Sequence, residues 1–248
     1  MECISHKKRV TGNIKLRKKM TKPICIIPAR AGSKGVSNKN IRFIAGKPLI
    51  FYTIKSALES KIFSHVIVST EDKKIASIAK KYGAEVPFMR PKNLATDKTA
   101  MEPVLLHAIK KLNSLGIYFE IFVYRDCTCP FIDASDMKGA IDLFKKSDCY
   151  STCGSVKAHP SPYFGMWEPN KDGFLEISKT TNKIINRRQD TPIVYIIDGL
   201  FVYRTKKFLK TRKCQSGKML PYEITKEHGH MIDIEFDFKV AELLLKNG

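Results

Sequence analysis

Short apolar runs alternate with helical patterns along most of this chain, and no other feature constrains its fold as strongly. Pro23 to Ile27, His65 to Thr70 and Phe119 to Tyr124 are largely apolar, which is typical of strands buried on both faces of a parallel sheet. Between these runs, apolar residues such as Ile50 and Ile54 recur at helical spacing. Repeated strand–helix units predict an α/β fold with a doubly wound, mostly parallel sheet.

The pattern changes after about Val156. The segment from His159 to Pro169 is rich in proline and aromatic residues, and Asp172-Gly173 predicts a hairpin turn. We therefore predict an insertion at about residues 157–192 that leaves the main sheet. Two shorter strands are predicted at Val86 to Met89 and at Met231 to Ile232.

Length and composition exclude several classes of protein. The chain has 248 residues, which suits one large domain with an insertion. No apolar run approaches the roughly 18 residues of a membrane span, and the N-terminus lacks the apolar stretch of a signal peptide. Seven cysteines occur without a CxxC pair, which favours reduced thiols and a cytoplasmic location, with structural disulfides as the alternative.

The formal net charge of +20 is concentrated partly at the N-terminus. Residues 1–22 contain eight lysines and arginines against one glutamate. Such a run predicts a basic, disordered tail, followed by one domain at residues 23–248. The alternative is a tail that binds nucleic acid nonspecifically.

The loop after the first strand carries the clearest functional signal. It runs from Ala29 to Asn40, and its glycines allow a tight turn with backbone N–H groups aimed inward. Together with Arg30, Lys34 and Lys39, such donors can hold a triphosphate. The spacing is neither that of a P-loop nor that of a dinucleotide fold. The alternative is a basic surface loop.

Three further polar clusters follow strands or come near the end of the chain. They are Arg90–Asp97, Arg125–Pro130 and His230–Asp237. Ligands of open α/β sheets bind outside the carboxyl ends of the strands, so we expect these clusters to lie near the glycine-containing loop. Thr96 and Asp97 could instead cap the next helix.

The loop Ile27 to Asn40 closely resembles the I-P-A-R-x-G-S-K-G-x-x-x-K-N motif of the acylneuraminate cytidylyltransferases, the CMP-sialic acid synthetase family. Arg187 to Pro192 matches R-R-Q-D-x-P of the same family, and Arg90 to Asp97 resembles its R-P-x-x-L-A-[ST]-D. The resemblance extends from about Pro23 to Lys246. It implies a nucleotide-diphospho-sugar transferase-like sheet, with the insertion serving as an arm that forms a homodimer.

The resemblance also implies an activity and a set of residues. In the implied reaction the anomeric hydroxyl of a sialic-acid-like nonulosonic acid attacks the α-phosphorus of CTP, which gives CMP-sugar and pyrophosphate. Arg30, Lys39 and Asp233 are the implied catalytic residues. The implied nucleotide-binding residues are Ala29, Arg30, Ala31, Gly32, Ser33, Lys34, Asn40, Arg90, Thr96 and Asp97. The implied sugar-binding residues are Arg188, Gln189, Asp198 and Tyr203.

Several positions depart from the family pattern. Met231 replaces the first of two aspartates that hold Mg²⁺ in the family, whereas Asp126 stands where many relatives have glutamine. CMP-Kdo synthetases hold Mg²⁺ with one aspartate at a comparable strand end and another near the C-terminal strand. We therefore predict that Asp126 and Asp233 hold Mg²⁺, an ion that often takes only one or two carboxylates. The alternative is that Asp126 hydrogen-bonds the following Cys127–Pro130 turn.

Two substitutions bear on substrate choice. Lys98 to Met101 replace the small hydroxyl or proline residues of the family, which loosens the expectation for the base. Asp198 replaces an asparagine in the sugar site. The alternatives are a nucleotidyltransferase for Kdo or another acid sugar, and a noncatalytic nucleic-acid binder that uses the basic tail.

Overall fold

A computed structural model describes residues 22–32 and 35–247 of the chain, so most of the predicted tail, Ser33 and Lys34 lie outside the described residues. Ten strands are present in the described part: β1 (Ile24–Pro28), β2 (Phe43–Ile44), β3 (Lys47–Pro48), β4 (Val66–Ser69), β5 (Ile121–Arg125), β6 (Ser151–Lys157), β7 (Trp167–Pro169), β8 (Leu175–Ile177), β9 (Tyr195–Arg204) and β10 (Met219–Glu223). Six of them form one sheet in the order β10-β6-β9-β5-β1-β4.

The central sheet is mostly parallel, as predicted. β1 pairs in parallel with both β4 and β5, and β6 pairs in parallel with β10. Only β9, among the strands of this sheet, runs antiparallel to its neighbours β5 and β6. The register of β9 against β6 shifts at Cys153/Ser155, opposite Asp198 and Gly199, so β9 is bulged where those two residues lie.

Helices cover both faces of the sheet. They are α1 (Leu49–Glu59), α2 (Lys73–Lys81), α3 (Met101–Ser114), α4 (Ala134–Lys146), α5 (Thr205–Thr211) and α6 (Glu235–Asn247). Ile24 and Ile26 of β1 pack with α3 on one face, whereas Cys25 and Ile27 pack with α1 and α2 on the other. Burial on both faces explains why β1 is a continuous apolar run. None of the described helices is long and apolar enough to cross a bilayer.

Two predicted strands are wrong. Near Val86 to Met89 the chain makes a single bridge, between Glu85 and Ile67, and then continues as irregular backbone. Met231 and Ile232 lie in an irregular segment. Their apolar side chains face the interior, since Ile232 is fully buried and Met231 packs against the core. Burial without a strand partner therefore produced the misleading pattern.

The insertion forms a hairpin outside the main sheet. β7 and β8 pair antiparallel across a turn at Gly173, whose φ is +86°, which confirms the predicted Asp172-Gly173 hairpin. Much of this arm is exposed, including large apolar side chains. Those of Trp167, Phe174 and Ile184 are 55%, 71% and 88% exposed.

Candidate functional site

A polar cleft of about 460 Å³ opens at the carboxyl ends of β1 and β5. The chain runs from β1 to β4 on one side and returns to β5 on the other, so the cleft lies where the strand order reverses, the usual ligand position in open α/β sheets. It is lined by Pro28, Arg30, Gly35, Lys39, Asn40, Arg90, Asp97, Met101, Asp126, Thr128 and Asp233. Polar residues from all four clusters of the sequence therefore meet at one place.

Lys39 is held by the segment that precedes α6. Its side-chain Nζ donates to the Ile232 carbonyl oxygen at 2.5 Å and lies 3.3 Å from Asp233 Oδ1. Ile232 N–H in turn donates to the Thr128 carbonyl oxygen at 2.9 Å. Lys39 is only 9% exposed, so its ammonium group is fixed at the cleft wall rather than free in solvent.

Gly35 and Asp237 set the position of Asp233. A Cβ on Gly35 would lie 2.0 Å from the Asp233 carbonyl oxygen, so only glycine allows the two segments to pack this closely. Asp237 Oδ2 accepts from the backbone N–H groups of Asp233 and Ile234, both at 2.9 Å. The Asp233 carboxylate itself is 57% exposed and faces the cleft.

Arg30 spans from the first loop to the Arg90–Asp97 segment. Its Nη1 lies 2.6 Å from Asp97 Oδ1, and the Arg30 carbonyl oxygen accepts from Asn40 Nδ2 at 3.0 Å. The residue that precedes α3 is Ala100, without a side-chain cap, so the alternative that Thr96 and Asp97 cap this helix is wrong. Thr96 is exposed and its hydroxyl lies 2.7 Å from that of Thr99.

Glu71 connects Arg90 to the glycine-containing loop through hydrogen bonds, and this residue was not predicted from the sequence. Arg90 is buried, and its Nη2 donates to Glu71 Oε2 at 2.7 Å and to the Ala29 carbonyl oxygen at 3.4 Å. The other carboxylate oxygen of Glu71 accepts from Ala31 N–H at 2.8 Å. Gly32, next in the loop, has a φ of +70°. Glu71 follows the buried strand β4 almost directly, which was the available signal.

Carboxylates line the opposite side of the cleft. Asp126 Oδ1 accepts from Thr128 N–H at 3.0 Å, and Asp126 Oδ2 accepts from the Tyr124 hydroxyl at 2.9 Å. The alternative prediction, that Asp126 hydrogen-bonds the Cys127–Pro130 turn, is therefore confirmed by the contact with Thr128 N–H. Burial, and then the nearby charge of Asp126, raises the pKa of Asp198 to about 6. Negative charge is thus concentrated at this end of the sheet.

These carboxylates suit a hard divalent cation. Asp126 and Asp233 line the same cleft and offer only oxygen atoms, the ligands that Mg²⁺ prefers. The charge of Asp233 also helps to raise the pKa of Asp198, which is the mutual repulsion that a bound cation would relieve. Hydrogen bonds to Asp126 leave further lone pairs on each of its oxygens. The donor set fits the predicted ion.

A second cavity of about 540 Å³ adjoins the first at Met101. It is lined by Met101, Glu102, Tyr124, Asp198, Phe201, Tyr203, Lys213, Cys214 and Gln215. Asp198 is half-buried here. Tyr203 differs from the expectation: its ring is 1% exposed, stacks on Phe122, and its hydroxyl donates to the Cys214 carbonyl oxygen at 3.1 Å. This geometry favours a packing role for Tyr203.

Arg188 and Gln189 lie on the arm, outside the residues that line both cavities. Arg188 is exposed in a short 3₁₀ turn, and its Nη1 lies 2.6 Å from His159 Nε2. Gln189 lines a smaller depression between the arm and β6. The described chain therefore does not bring these two residues to the cleft that contains Arg30.

Within residues 22–32 and 35–247, one further cluster of side chains has the composition of a metal site. Asp133, Asp136 and His228 lie within 4.8 Å of one another. Hydrogen bonds account for them: Asp133 and Asp136 form the capping box of α4, and His228 Nδ1 lies 2.6 Å from Asp136 Oδ2. Stabilisation of the helix terminus explains this cluster.

Comparison with known proteins identifies the family. The profile of a family described as Cytidylyltransferase matches residues 24–243. The chain is 34% identical to post-translational flagellin modification protein B of Campylobacter coli, covering 92% of this chain and 96% of that protein. It is also 34% identical to CMP-N,N'-diacetyllegionaminic acid synthase of Campylobacter jejuni, covering 91% and 96%.

A solved structure shares the fold. A CMP:2-keto-3-deoxy-manno-octonic acid synthetase in complex with CTP superposes with a TM-score of 0.69 at 15% identity, covering 92% of this chain and 99% of that one. The nucleotidyltransferase-like α/β sheet predicted from the sequence is therefore confirmed. This chain belongs to the cytidylyltransferase family and is a nucleotidyltransferase.

Proposed function

We propose that this enzyme uses CTP to activate an acidic sugar of the nonulosonic class, giving a CMP-sugar and pyrophosphate. The observation that carries the proposal is the cleft that Arg30, Lys39 and Arg90 line together with Asp126 and Asp233. Fixed cations match a triphosphate, and carboxylates suit its accompanying divalent ion. The relative that makes CMP-N,N'-diacetyllegionaminic acid supports the choice of a nonulosonic acid.

In the proposed reaction the anomeric hydroxyl of the sugar attacks the α-phosphorus of CTP. The bond from this phosphorus to the bridging oxygen breaks, pyrophosphate leaves with the electron pair, and the hydroxyl proton is released. Little covalent chemistry falls to the protein, so positioning and neutralisation of charge dominate. Bound Mg²⁺ would supply further positive charge at the phosphates, held by Asp126 and Asp233.

Lys39 and Arg30 would stabilise the charge that develops on the leaving pyrophosphate. Each is already held by protein acceptors, Lys39 by the Ile232 carbonyl and Arg30 by Asp97. Groups that are fixed before the ligand binds need little reorganisation in the transition state. Asn40, which donates to the Arg30 carbonyl, would keep the nucleotide-binding loop in shape.

The sugar would occupy the second cavity. It adjoins the nucleotide cleft at Met101 and contains Asp198, one of the implied sugar-binding residues. Aromatic side chains and carboxylates in one cavity can bind the apolar faces and hydroxyl groups of a sugar together. The roles of Arg188 and Gln189 on the arm remain predictions.

We further propose that the enzyme is a homodimer whose subunits meet through the arm. Exposed apolar side chains are concentrated there, among them Trp167, Phe174 and Leu175, and contiguous apolar patches typically mark interaction sites. A cytoplasmic location also remains a prediction.

A panel assay tests the proposed function. Pyrophosphate release is measured with each of four nucleoside triphosphates against sialic, legionaminic, pseudaminic and Kdo sugars, with and without EDTA. We expect turnover with CTP and at least one nonulosonic acid, and its loss in EDTA. Turnover only with Kdo would favour the alternative sugar class. Turnover with CTP on none of these acids would contradict the proposal.

A further inference from the structure

Arg125 is a buried cation at the end of β5, beside the cleft. Its side chain is 0% exposed and is among the largest fully buried side chains of the described residues. Among those residues, no carboxylate forms an ion pair with it. Burying a charge is costly unless it is hydrogen-bonded. The hydrogen-bond partners of this guanidinium therefore indicate which segments it holds in place.

Backbone carbonyl groups from two different segments accept from Arg125. Its Nη1 donates to the Gly199 carbonyl oxygen at 2.8 Å. Its Nη2 donates to the carbonyl oxygens of Cys129 and Ile132, at 3.3 and 3.2 Å. One side chain thus connects the bulge of β9 with the turn that follows β5.

Gly199 is the meeting point of these contacts. The Gly199 carbonyl oxygen also accepts from Asp126 N–H at 3.0 Å. Its φ of +70° is unfavourable for other residues, and a Cβ at this position would lie 2.5 Å from that of Cys129. The bulge and the turn are therefore packed directly against each other, with Arg125 bonded to both.

The two segments carry side chains of both cavities. Asp126 and Thr128 belong to the turn and line the first cavity. Asp198 belongs to the bulge and lines the second. The position of the turn relative to the bulge consequently sets the position of one group of site residues relative to the other.

We propose that Arg125 is a positioning residue for nucleotidyl transfer, which fixes the Asp126–Ile132 turn to the Asp198–Gly199 bulge. The expected change in kcat rests on the proposed function. The expected loosening of the turn and the bulge does not. A guanidinium suits the task because its donors point in several fixed directions. A lysine ammonium would reach fewer of the three carbonyls in this geometry.

Two variants of Arg125 and one matched control test the proposal. Arg125→Met removes all donors at similar length, and Arg125→Lys keeps the charge. Thr152→Val is the control because it also deletes a buried hydrogen bond to backbone, from Thr152 Oγ1 to the Ala140 carbonyl oxygen at 2.9 Å, away from both cavities. The Lys variant serves if the Met variant fails to fold.

The first readout is amide hydrogen exchange of the folded proteins without substrate. We expect exchange in the Asp126–Ile132 and Ile196–Phe201 segments to accelerate by about tenfold or more in the Arg125 variants relative to Thr152→Val. Unchanged exchange in these two segments would overturn the proposal. This readout is independent of catalysis, so an inactive wild-type enzyme would contradict the proposed function alone.

The second readout is steady-state kinetics at a temperature where all variants are folded. We expect kcat to fall by about tenfold or more in Arg125→Met, because the displaced turn carries Asp126, which would hold Mg²⁺ at the phosphates. Arg125→Lys should recover only part of the loss. A purely structural role would lower the melting temperature and leave kcat near that of Thr152→Val, which would also overturn the proposal.

Discussion

At the scale of single residues, the cations of the cleft are already held in place by protein groups. Lys39 donates to a backbone carbonyl, Arg30 pairs with Asp97, and Arg90 pairs with Glu71. Because of these contacts, the side chains lose conformational entropy when the protein folds rather than when the ligand binds.

Lys39→Ala tests this arrangement. We expect turnover of CTP to fall by about a hundredfold, since a fixed charge that faces the developing pyrophosphate is lost. The protein should stay folded, with a melting temperature lowered by several degrees because the Ile232 carbonyl oxygen loses this hydrogen bond. Lys55→Ala, which removes an exposed lysine from α1, is the control. A folded Lys39→Ala enzyme with turnover close to that of the control would refute the role of Lys39.

Asp198 supplies a pH-dependent prediction for the metal-free protein. Burial and the charge of Asp126 raise its pKa to about 6 from the ordinary 3.8. The folded state therefore disfavours the ionised form of Asp198. As a result, the free energy of unfolding falls as the pH rises from about 4 through 6. Asp198→Asn should increase the free energy of unfolding by roughly 3 kcal/mol at pH 8, and this gain should shrink towards zero near pH 4.

Urea unfolding in EDTA across this pH range measures the effect. Asp172→Asn is the control, since it removes the same charge from the exposed hairpin turn. The account of Asp198 fails if the stability of Asp198→Asn, relative to wild type, follows the same pH profile as that of the control.

At the scale of elements, the strands predicted most reliably from the sequence are those buried on both faces of the sheet. β1 and β4 are buried on both faces, so their apolar runs identified them correctly. β6 was missed because its buried residues are small or polar, such as Ser151, Thr152 and Ser155. The strands predicted at 86–89 and 231–232 show the converse error, in which an apolar segment packs on the core without a partner strand.

The arm gives a prediction at this scale. Phe174 in the hairpin and Tyr118 between α3 and β5 are 71% and 72% exposed, so they form a matched pair. Phe174→Glu should weaken a dimer formed through the arm, because a charge would be buried against apolar side chains. Tyr118→Glu should not. Light scattering with size-exclusion chromatography gives the mass. A monomeric wild type, or equal effects of both variants, would contradict an arm interface.

At the scale of the whole molecule, the topology explains which site residues the sequence could predict. Arg30, Arg90 and Asp126 each follow a strand or bridge of the sheet. Ligands of open α/β sheets bind at the carboxyl ends of the strands, so these residues could be predicted to share one site. The His230–Asp237 cluster was also predicted to lie near the glycine-containing loop, but the hydrogen bond from Lys39 to the Ile232 carbonyl oxygen, 193 residues away, was not. Glu71 and Arg125 also stand at strand ends, but their hydrogen-bond partners depend on how the fold places Arg90, Ala31 and Gly199.

The same topology separates residues that motifs had grouped. Arg188 and Asp198 were assigned to one sugar site, but Arg188 lies on the arm and Asp198 at the bulge of β9. Tyr203 lines the same cavity as Asp198, but its ring is buried and stacks on Phe122. A motif preserves residue types and spacing, whereas burial of a particular side chain depends on the elements packed around it.

A crystal structure with Mg²⁺ and a non-hydrolysable CTP analogue would test whether this cleft binds the nucleotide. We expect the triphosphate to lie between Arg30 and Lys39. We also expect Asp126 and Asp233 to contact the ion, with their carboxylates within about 6 Å of each other, since ligands of Mg²⁺ lie at about 2.1 Å. A nucleotide bound outside this cleft, or an ion that contacts neither aspartate, would show that the proposed site is wrong.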